Sequence, residues 1–176
     1  DLGFKNGTGG DVRIAVDAVG AASHPHHFLA VGKDGRCAVA STSGNPDCHV
    51  ILRGGAVPNY DAAHVEAASG VLQAQGQRAA LMIDASHANS SKNPDNQPKV
   101  IDDIARQLEG GERRIVGAMI ESHLVAGKQA LVPGTPLVYG QSITDGCIDW
   151  DTTVRTLDRL ADAVRTRRAR ADAQAA

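Results

Sequence analysis

Aromatic residues make up only 3% of this 176-residue chain, with one Trp, two Tyr and two Phe. Stacking on unpaired bases, on which single-stranded nucleic-acid binding relies, has little to work with. An excess of one charge is lacking too. The 18 Lys and Arg residues are balanced by 20 Asp and Glu, so no general pull towards DNA or an anionic membrane arises. No apolar run approaches the roughly 20 residues a membrane helix needs, and no secretory signal pattern opens the sequence. Cysteine is scarce. Cys37, Cys48 and Cys147 lie too far apart for a CxxC motif, and an odd count without secretory context points to reduced thiols rather than a disulfide framework. The expectation is a cytoplasmic protein with neither nucleic acid nor membrane as a partner.

A chain of 176 residues can build one domain with a real core, but a complete α/β barrel usually takes about 250. The sequence begins at Asp1, without Met, within what reads as a strand, which suggests a piece of a longer protein. Short apolar runs alternate with amphipathic stretches. Asp11 to Ala22 places Val12, Ile14, Ala15, Ala18 and Val19 mainly on one helical face. His27–Val31 and Cys37–Ala40 flank Lys33-Asp34-Gly35-Arg36, and an Asp-Gly pair between apolar runs signals a hairpin. His49–Leu52 reads as a strand, and Asp61 as the N-cap of a helix running towards Gly76. A buried-type strand from Ala79 to Asp84 is followed by a polar loop, and Pro98 opens a helix that Gly110-Gly111 ends. Ile115–Ile120 is the next strand. A long Pro/Gly loop from Ala126 to Asp149 leads to a last helix from Asp151 to about Arg168. Residues 1–170 read as one domain and 171–176 as a disordered, Ala-rich tail. Strands alternating with helices and lacking period-two polarity imply a parallel sheet covered on both faces.

The chemistry is concentrated at the strand ends. Lys5, Arg53, His87 and Glu121 each come just after an apolar run, and Asp145 lies in the loop before the last helix. In a parallel barrel the carboxyl ends of the strands converge on one mouth, where active sites sit. Lys5 and Arg53 suit a phosphorylated or carboxylated ligand, Arg as a bidentate fork and Lys as a point charge. His87, Glu121 and Asp145 are nitrogen and oxygen donors suited to a divalent transition metal, which acts as a Lewis acid on a carbonyl. From spacing alone, isolated strand-end charges are more often solvated or in structural ion pairs.

The literal strings narrow this. Gly3-Phe4-Lys5-Asn6-Gly7-Thr8, Thr42-Ser43-Gly44-Asn45, Asp47-Cys48-His49 and Ile51-Leu52-Arg53-Gly54-Gly55 come first. Ser86-His87-Ala88-Asn89-Ser90-Ser91-Lys92, Glu121-Ser122-His123-Leu124 and Ser142-Ile143-Thr144-Asp145 follow in order. Together they resemble the class I, feedback-regulated microbial 3-deoxy-D-arabino-heptulosonate 7-phosphate (DAHP) synthases, from Gly3 to about Arg168. The resemblance implies an α/β fold of the (β/α)8 TIM-barrel family, with this chain forming its C-terminal half, about strands five to eight, and an extra β-hairpin near Phe28–Ala40 in the feedback-regulatory region. It implies condensation of phosphoenolpyruvate with erythrose 4-phosphate, the entry to the shikimate pathway. Lys5, Arg53 and His87 then match residues that bind phosphoenolpyruvate, Lys5 and His87 being catalytic. His87, Glu121 and Asp145 match ligands of a divalent metal ion (Mn, Fe, Co or Zn). The family's cysteine ligand and several substrate-binding Arg and Lys residues belong to an N-terminal half outside this sequence, and Cys48 does not replace that ligand. A homo-oligomer, completed by that missing N-terminal half, is the implied assembly. The alternative is a truncated chain that binds metal or phosphate without turnover.

Several conspicuous residues carry blander readings. The His24, His26, His27 group precedes a strand, away from the expected mouth, and His123 is placed to orient or shield Glu121. The Arg165, Arg167, Arg168, Arg170 run suits a solvated helix C-terminus, where the helix dipole favours cations. Asp84 is either a partner of the Ser86-His87 motif or a strand-end cap. Half a barrel exposes two sheet edges, so the chain is expected to be marginally stable or to pair with another chain.

Overall fold

Aliphatic runs bounded by turn residues form four short strands that pair in parallel, each joined to the next by a crossover. The computed structural model describes residues 2–175. The strands are β1 (Leu2–Lys5), β4 (Cys48–Leu52), β5 (Leu81–Asp84) and β6 (Ile115–Met119), in the spatial order β1-β4-β5-β6. Lys5 pairs with Ile51, Leu52 with Ile83, and Asp84 with Met119, so the carboxyl ends of all four strands share one edge of the sheet. Between β1 and β4 lie α1 (Arg13–Ser23) and the antiparallel hairpin of β2 (His26–Val31) and β3 (Cys37–Thr42), with the expected Lys33–Arg36 turn. The crossovers α2 (Ala62–Ala74) and α3 (Gln97–Glu109) connect the remaining strands of the sheet. After β6 come β7 (Val125–Lys128), β8 (Gln141–Ser142) and α4 (Trp150–Ala175). An isolated parallel bridge between Ser122 and Ile148 continues the pairing past β6.

The core sits between the sheet and its helices. Val50, Leu52, Leu81 and Ile83 from the strands meet Val16, Val65, Leu72, Val100, Ile101 and Ile104 from α1 to α3, all of them buried. β4 is buried at every position, which is why it lacks polar alternation. Asp61 caps α2 as expected, its side chain accepting from the His64 N–H at 3.0 Å. Burial pushes the Asp61 carboxyl up, but hydrogen bonds and charge from His64 outweigh this and hold it below the usual range. α4 lies along α3, and Arg167 reaches back to the Glu112 carbonyl at 2.9 Å. Part of the Arg165–Arg170 run therefore ties two helices together instead of standing in solvent.

Two stretches differ from their sequence-based expectation. The long loop after β6 contains the parallel pair β7–β8. The Gln129 side chain donates to the Val138 and Gln141 carbonyls and accepts from the Val138 N–H. A side-chain amide thus takes over part of a backbone ladder, and hydrophobic period carries no trace of that. The last helix continues past Arg170 to Ala175, where a disordered tail was expected. The segment is rich in Ala and has no Gly or Pro, and Ala ranks highest in helix propensity. Asp1 and Ala176, part of the strand and tail expectations, lie outside the described residues. No helix among the described residues is long and apolar enough to cross a membrane.

Near the start of β6, Arg114 forms ion pairs with Glu112 and with Glu66 of α2, each at 2.6 Å. The Arg114 hydrogen bonds, acting against partial burial, hold the Glu112 carboxyl below its ordinary value. A carboxyl depressed by folding adds stability above its unfolded value, about 4.3 for Glu, and loses it as pH falls through the lower folded value. Acid denaturation followed by circular dichroism should therefore be shallower for Glu112→Gln than for the unsubstituted chain below about pH 4. Parallel acid limbs would contradict this assignment.

Candidate metal and anion site

The parallel register brings Lys5, Arg53, His87 and Glu121 to one edge of the sheet, because each closes or follows a strand there. At the centre is Asp84, the last residue of β5, with no solvent exposure. Its Oδ2 accepts from Lys5 Nζ at 2.8 Å and lies 2.9 Å from His87 Nδ1. Its Oδ1 accepts from the Ser86 N–H at 2.9 Å. The His87 contact is close but poorly aligned, so the imidazole nitrogen lacks a proper hydrogen bond. Of the two readings of Asp84, this is the partner of the Ser86-His87 motif.

With Nδ1 turned to Asp84, His87 presents Nε2 on its other side, 3.8 Å from Glu121 Oε1. One donor atom each from His87, Glu121 and Asp145 lies within 4.8 Å of the others. Glu121 is fixed from two sides. The Ser86 hydroxyl donates to its Oε2 at 2.7 Å, and the buried Gln97 amide takes both its backbone groups, accepting from N–H at 2.8 Å and donating to C=O at 3.0 Å. Asp145 reaches the cluster from the loop after β8, which is held by Ile148 donating to the Glu121 carbonyl at 3.1 Å. His87, Ser91 and Lys92 all have left-handed backbone, with φ of 51°, 56° and 59°. Such strain in non-glycine residues persists only where surrounding structure enforces it. Here Lys92 N–H donates to the His87 carbonyl at 2.7 Å and closes the loop.

Arg53 is positioned by asparagines. Its N–H donates to Asn6 Oδ1, the Gly54 N–H to Asn59 Oδ1, and the Asn59 N–H to Asn89 Oδ1, at 2.7 to 2.8 Å. Asn89 Nδ2 in turn donates to the Leu52 and Asp84 carbonyls. Gly54 adopts a φ of +76°, and a Cβ there would meet the Asn89 nitrogen at 2.7 Å, so the turn presenting Arg53 requires glycine. Arg53 Nε is buried without a partner, an unsatisfied donor of the kind that awaits an acceptor.

The cluster opens onto a cavity of about 480 Å³ walled by Ser86, His87, Lys92, Glu121, Lys128 and Asp145. Two carboxylates and an imidazole converging this closely suit a divalent cation, so the residues present fit a metal ion. Lys5 and Arg53 lie outside its walls, and Asp84 joins Lys5 to the cluster. Cys147 also lies near. Burial raises its thiol pKa, with Glu121 and Asp145 adding to the rise against a Ser142 hydrogen bond. Cys48 opens β4 at the opposite edge and donates to the Asn45 carbonyl.

Sequence reasoning missed Gln97, Ser86 and the Asn6–Asn59–Asn89 chain. The only trace of Gln97 was a polar residue on the buried face of a helix. The three neighbouring histidines form no cluster of this kind, His24 binding the Gly20 carbonyl and His27 the Ser41 hydroxyl. His123 accepts from the Leu124 N–H and makes no hydrogen bond to Glu121.

A parallel α/β sheet with candidate metal donors and two cations, Lys5 and Arg53, at its carboxyl edge defines the class of site. Comparison with known proteins narrows it. The sequence matches the DAHP synthetase I family over residues 2–158. It is 53% identical over 167 residues to the Phe-sensitive phospho-2-dehydro-3-deoxyheptonate aldolase of Escherichia coli K12, covering 95% of this chain and 48% of that protein. To the phospho-2-dehydro-3-deoxyheptonate aldolase of Corynebacterium glutamicum it is 53% identical over 178 residues, covering 97% and 48%. The solved phospho-2-dehydro-3-deoxyheptonate aldolase of Francisella tularensis SCHU S4 superimposes with a TM-score of 0.88 at 48% identity, over 94% of this chain and 48% of that one. The chain belongs to the DAHP synthetase I family. It spans about half the length of the curated relatives it matches.

Outer partners of metal ligands are typically worth about 10- to 100-fold in affinity. Ser86→Ala should weaken Mn²⁺ binding by about tenfold, read from the free-ion signal in electron paramagnetic resonance. Unchanged affinity would mean that the Ser86 hydroxyl does not set the carboxylate of Glu121.

Proposed function

We propose that this chain forms the metal-binding side, and part of the phosphoenolpyruvate side, of a DAHP synthase that joins phosphoenolpyruvate to erythrose 4-phosphate. The observation that carries the reading is the buried Asp84, which ties Lys5 to His87 while His87 meets Glu121 and Asp145. One carboxylate thereby links an anion-binding cation to a cluster of metal donors, as a reaction between a phosphorylated nucleophile and a carbonyl requires. Membership of the family supports it independently.

On this reading Arg53 and Lys5 hold the phosphate and carboxylate of phosphoenolpyruvate. The unpartnered Nε of Arg53 supports that role. Carbon 3 of phosphoenolpyruvate attacks the aldehyde carbon, water adds at carbon 2, and phosphate departs by C–O cleavage. Lys5 and His87, poised on either side of Asp84, are the groups that hold or move a proton beside phosphoenolpyruvate. His87, Glu121 and Asp145 would hold a divalent ion, whether Mn, Fe, Co or Zn, which would supply Lewis acidity towards a carbonyl. The four-stranded sheet is then an arc of a (β/α)8 barrel, about strands five to eight. The β2–β3 hairpin falls in the feedback-regulatory region, and an N-terminal half supplies a cysteine ligand and further Arg and Lys. The working enzyme is a cytoplasmic homo-oligomer.

The test is phosphoenolpyruvate consumption dependent on erythrose 4-phosphate and Mn²⁺, with this chain alone and with an N-terminal half from a relative added. Turnover is expected only with both, and His87→Ala, Glu121→Ala and Asp145→Ala should each lower it by at least about 100-fold. Turnover by the chain alone would contradict the account. Halves that associate without turnover would favour a non-catalytic binder of metal or phosphate.

A further inference from the structure

A second cavity, of about 270 Å³, lies between the head of α1 and the outer helix α2. It shares no residue with the metal-cluster cavity or with the β2–β3 hairpin. Its walls are mostly apolar, among them Val12, Leu52, Ala67, Ala68 and Val71, with the exposed Val57 at hand. Only two polar side chains line it, Asn59 and His64. Asp61 pins the His64 ring, with Nδ1 2.9 Å from both carboxylate oxygens, and also accepts from the His64 backbone N–H. The Nδ1 proton therefore faces the carboxylate. Nε2 has no hydrogen-bond partner among the described residues and is left as an acceptor on the neutral ring. Asn59 is buried, and its Oδ1 accepts from the Gly54 N–H in the turn after Arg53. Gly10, another wall, touches that same turn backbone to backbone, since a Cβ on Gly55 would collide with it.

We infer that this cavity is a binding site for a neutral, phenol-sized molecule whose hydroxyl donates to His64 Nε2, and that an occupant stiffens the turn carrying Arg53. Size supports the ring. An apolar cavity of about 150 Å³ already takes a benzene ring, so this one holds a ring with its substituent. Charge selects a neutral ligand. No Lys or Arg lines the cavity, and the Asp61 carboxylate stands beside His64. A bound carboxylate or phosphate would lose its water without gaining a cation, whereas a hydroxyl satisfies the one free ring nitrogen. Burial of the ring against Leu52, Val57, Ala68 and Val71 supplies the driving force. The link to Arg53 follows from shared walls. Asn59 and Gly10 both border the cavity and support the Arg53–Gly55 turn, so a ligand that holds these walls in place suppresses local opening of the turn. The site depends on nothing in the chemistry of the metal cluster.

Nuclear magnetic resonance of this chain, titrated with phenol and separately with toluene, tests this. Phenol should shift the His64 ring and the methyl groups of Ala67, Ala68 and Val71 along one saturating curve. Toluene, which lacks the hydroxyl, should bind about tenfold more weakly. His64→Leu keeps the backbone N–H that Asp61 caps, and should weaken phenol about tenfold while leaving toluene unchanged. Ala67→Leu, made on the exposed side of α2, should fill the cavity and weaken both. At saturating phenol the Arg53 and Gly54 N–H groups should exchange with solvent more slowly. Shifts that never saturate or that scatter over the surface would overturn the site, as would phenol binding indifferent to His64→Leu. Unchanged exchange at Arg53 and Gly54 under saturating phenol would overturn the link to the turn.

Discussion

A carboxylate with no exposure to solvent is costly unless cations and hydrogen-bond donors surround it. Asp84 meets that condition with Lys5, the Ser86 N–H and the edge of His87. Each partner comes from a different requirement. Lys5 is there because β1 runs parallel to β4 and β4 to β5, Ser86 because the chain turns as it leaves the sheet, and His87 because it adopts a left-handed backbone conformation. Removing any one leaves a charge or a polar group unpaired in the interior. The arrangement of the site is thus coupled to the stability of the fold around it.

The same logic extends outward through neutral groups. Arg53 and Gly54 are held by Asn6, Asn59 and Asn89, and Asn89 returns to the carbonyl of Asp84 itself. On the other side Gln97 and Ser86 hold Glu121. Buried amides can donate and accept at once, so a few of them satisfy the ends of three strands where no ladder partner remains. On the function proposed above, rigid positioning of this kind serves a reaction between two held substrates.

Much of this was legible in the sequence. The apolar run Val50–Leu52 of β4, the Asp34-Gly35 turn and the Asp61 cap each follow from local chemistry, and the structure has all three. So does the placing of polar residues after strands, which brings Lys5, Arg53, His87 and Glu121 to one edge. What was hidden depends on pairs far apart in the chain. Gln97 serves Glu121 across 24 positions and Asn59 binds Asn6 across 53, and no periodicity marks either. The β7–β8 pair escaped notice because a side chain, Gln129, completes its bonding.

The most direct measurement is the affinity of an Asp84→Asn chain for Mn²⁺ and for phosphoenolpyruvate, with circular dichroism to verify that the fold is retained. Asn keeps an acceptor for the Ser86 N–H but loses the carboxylate charge that pairs with Lys5 and faces His87. If one buried carboxylate sets the two halves of the site, both affinities should fall together, by about tenfold or more. A folded variant in which either affinity is unchanged would contradict the account, because the candidate metal donors and the cations proposed to hold phosphoenolpyruvate would then be positioned independently.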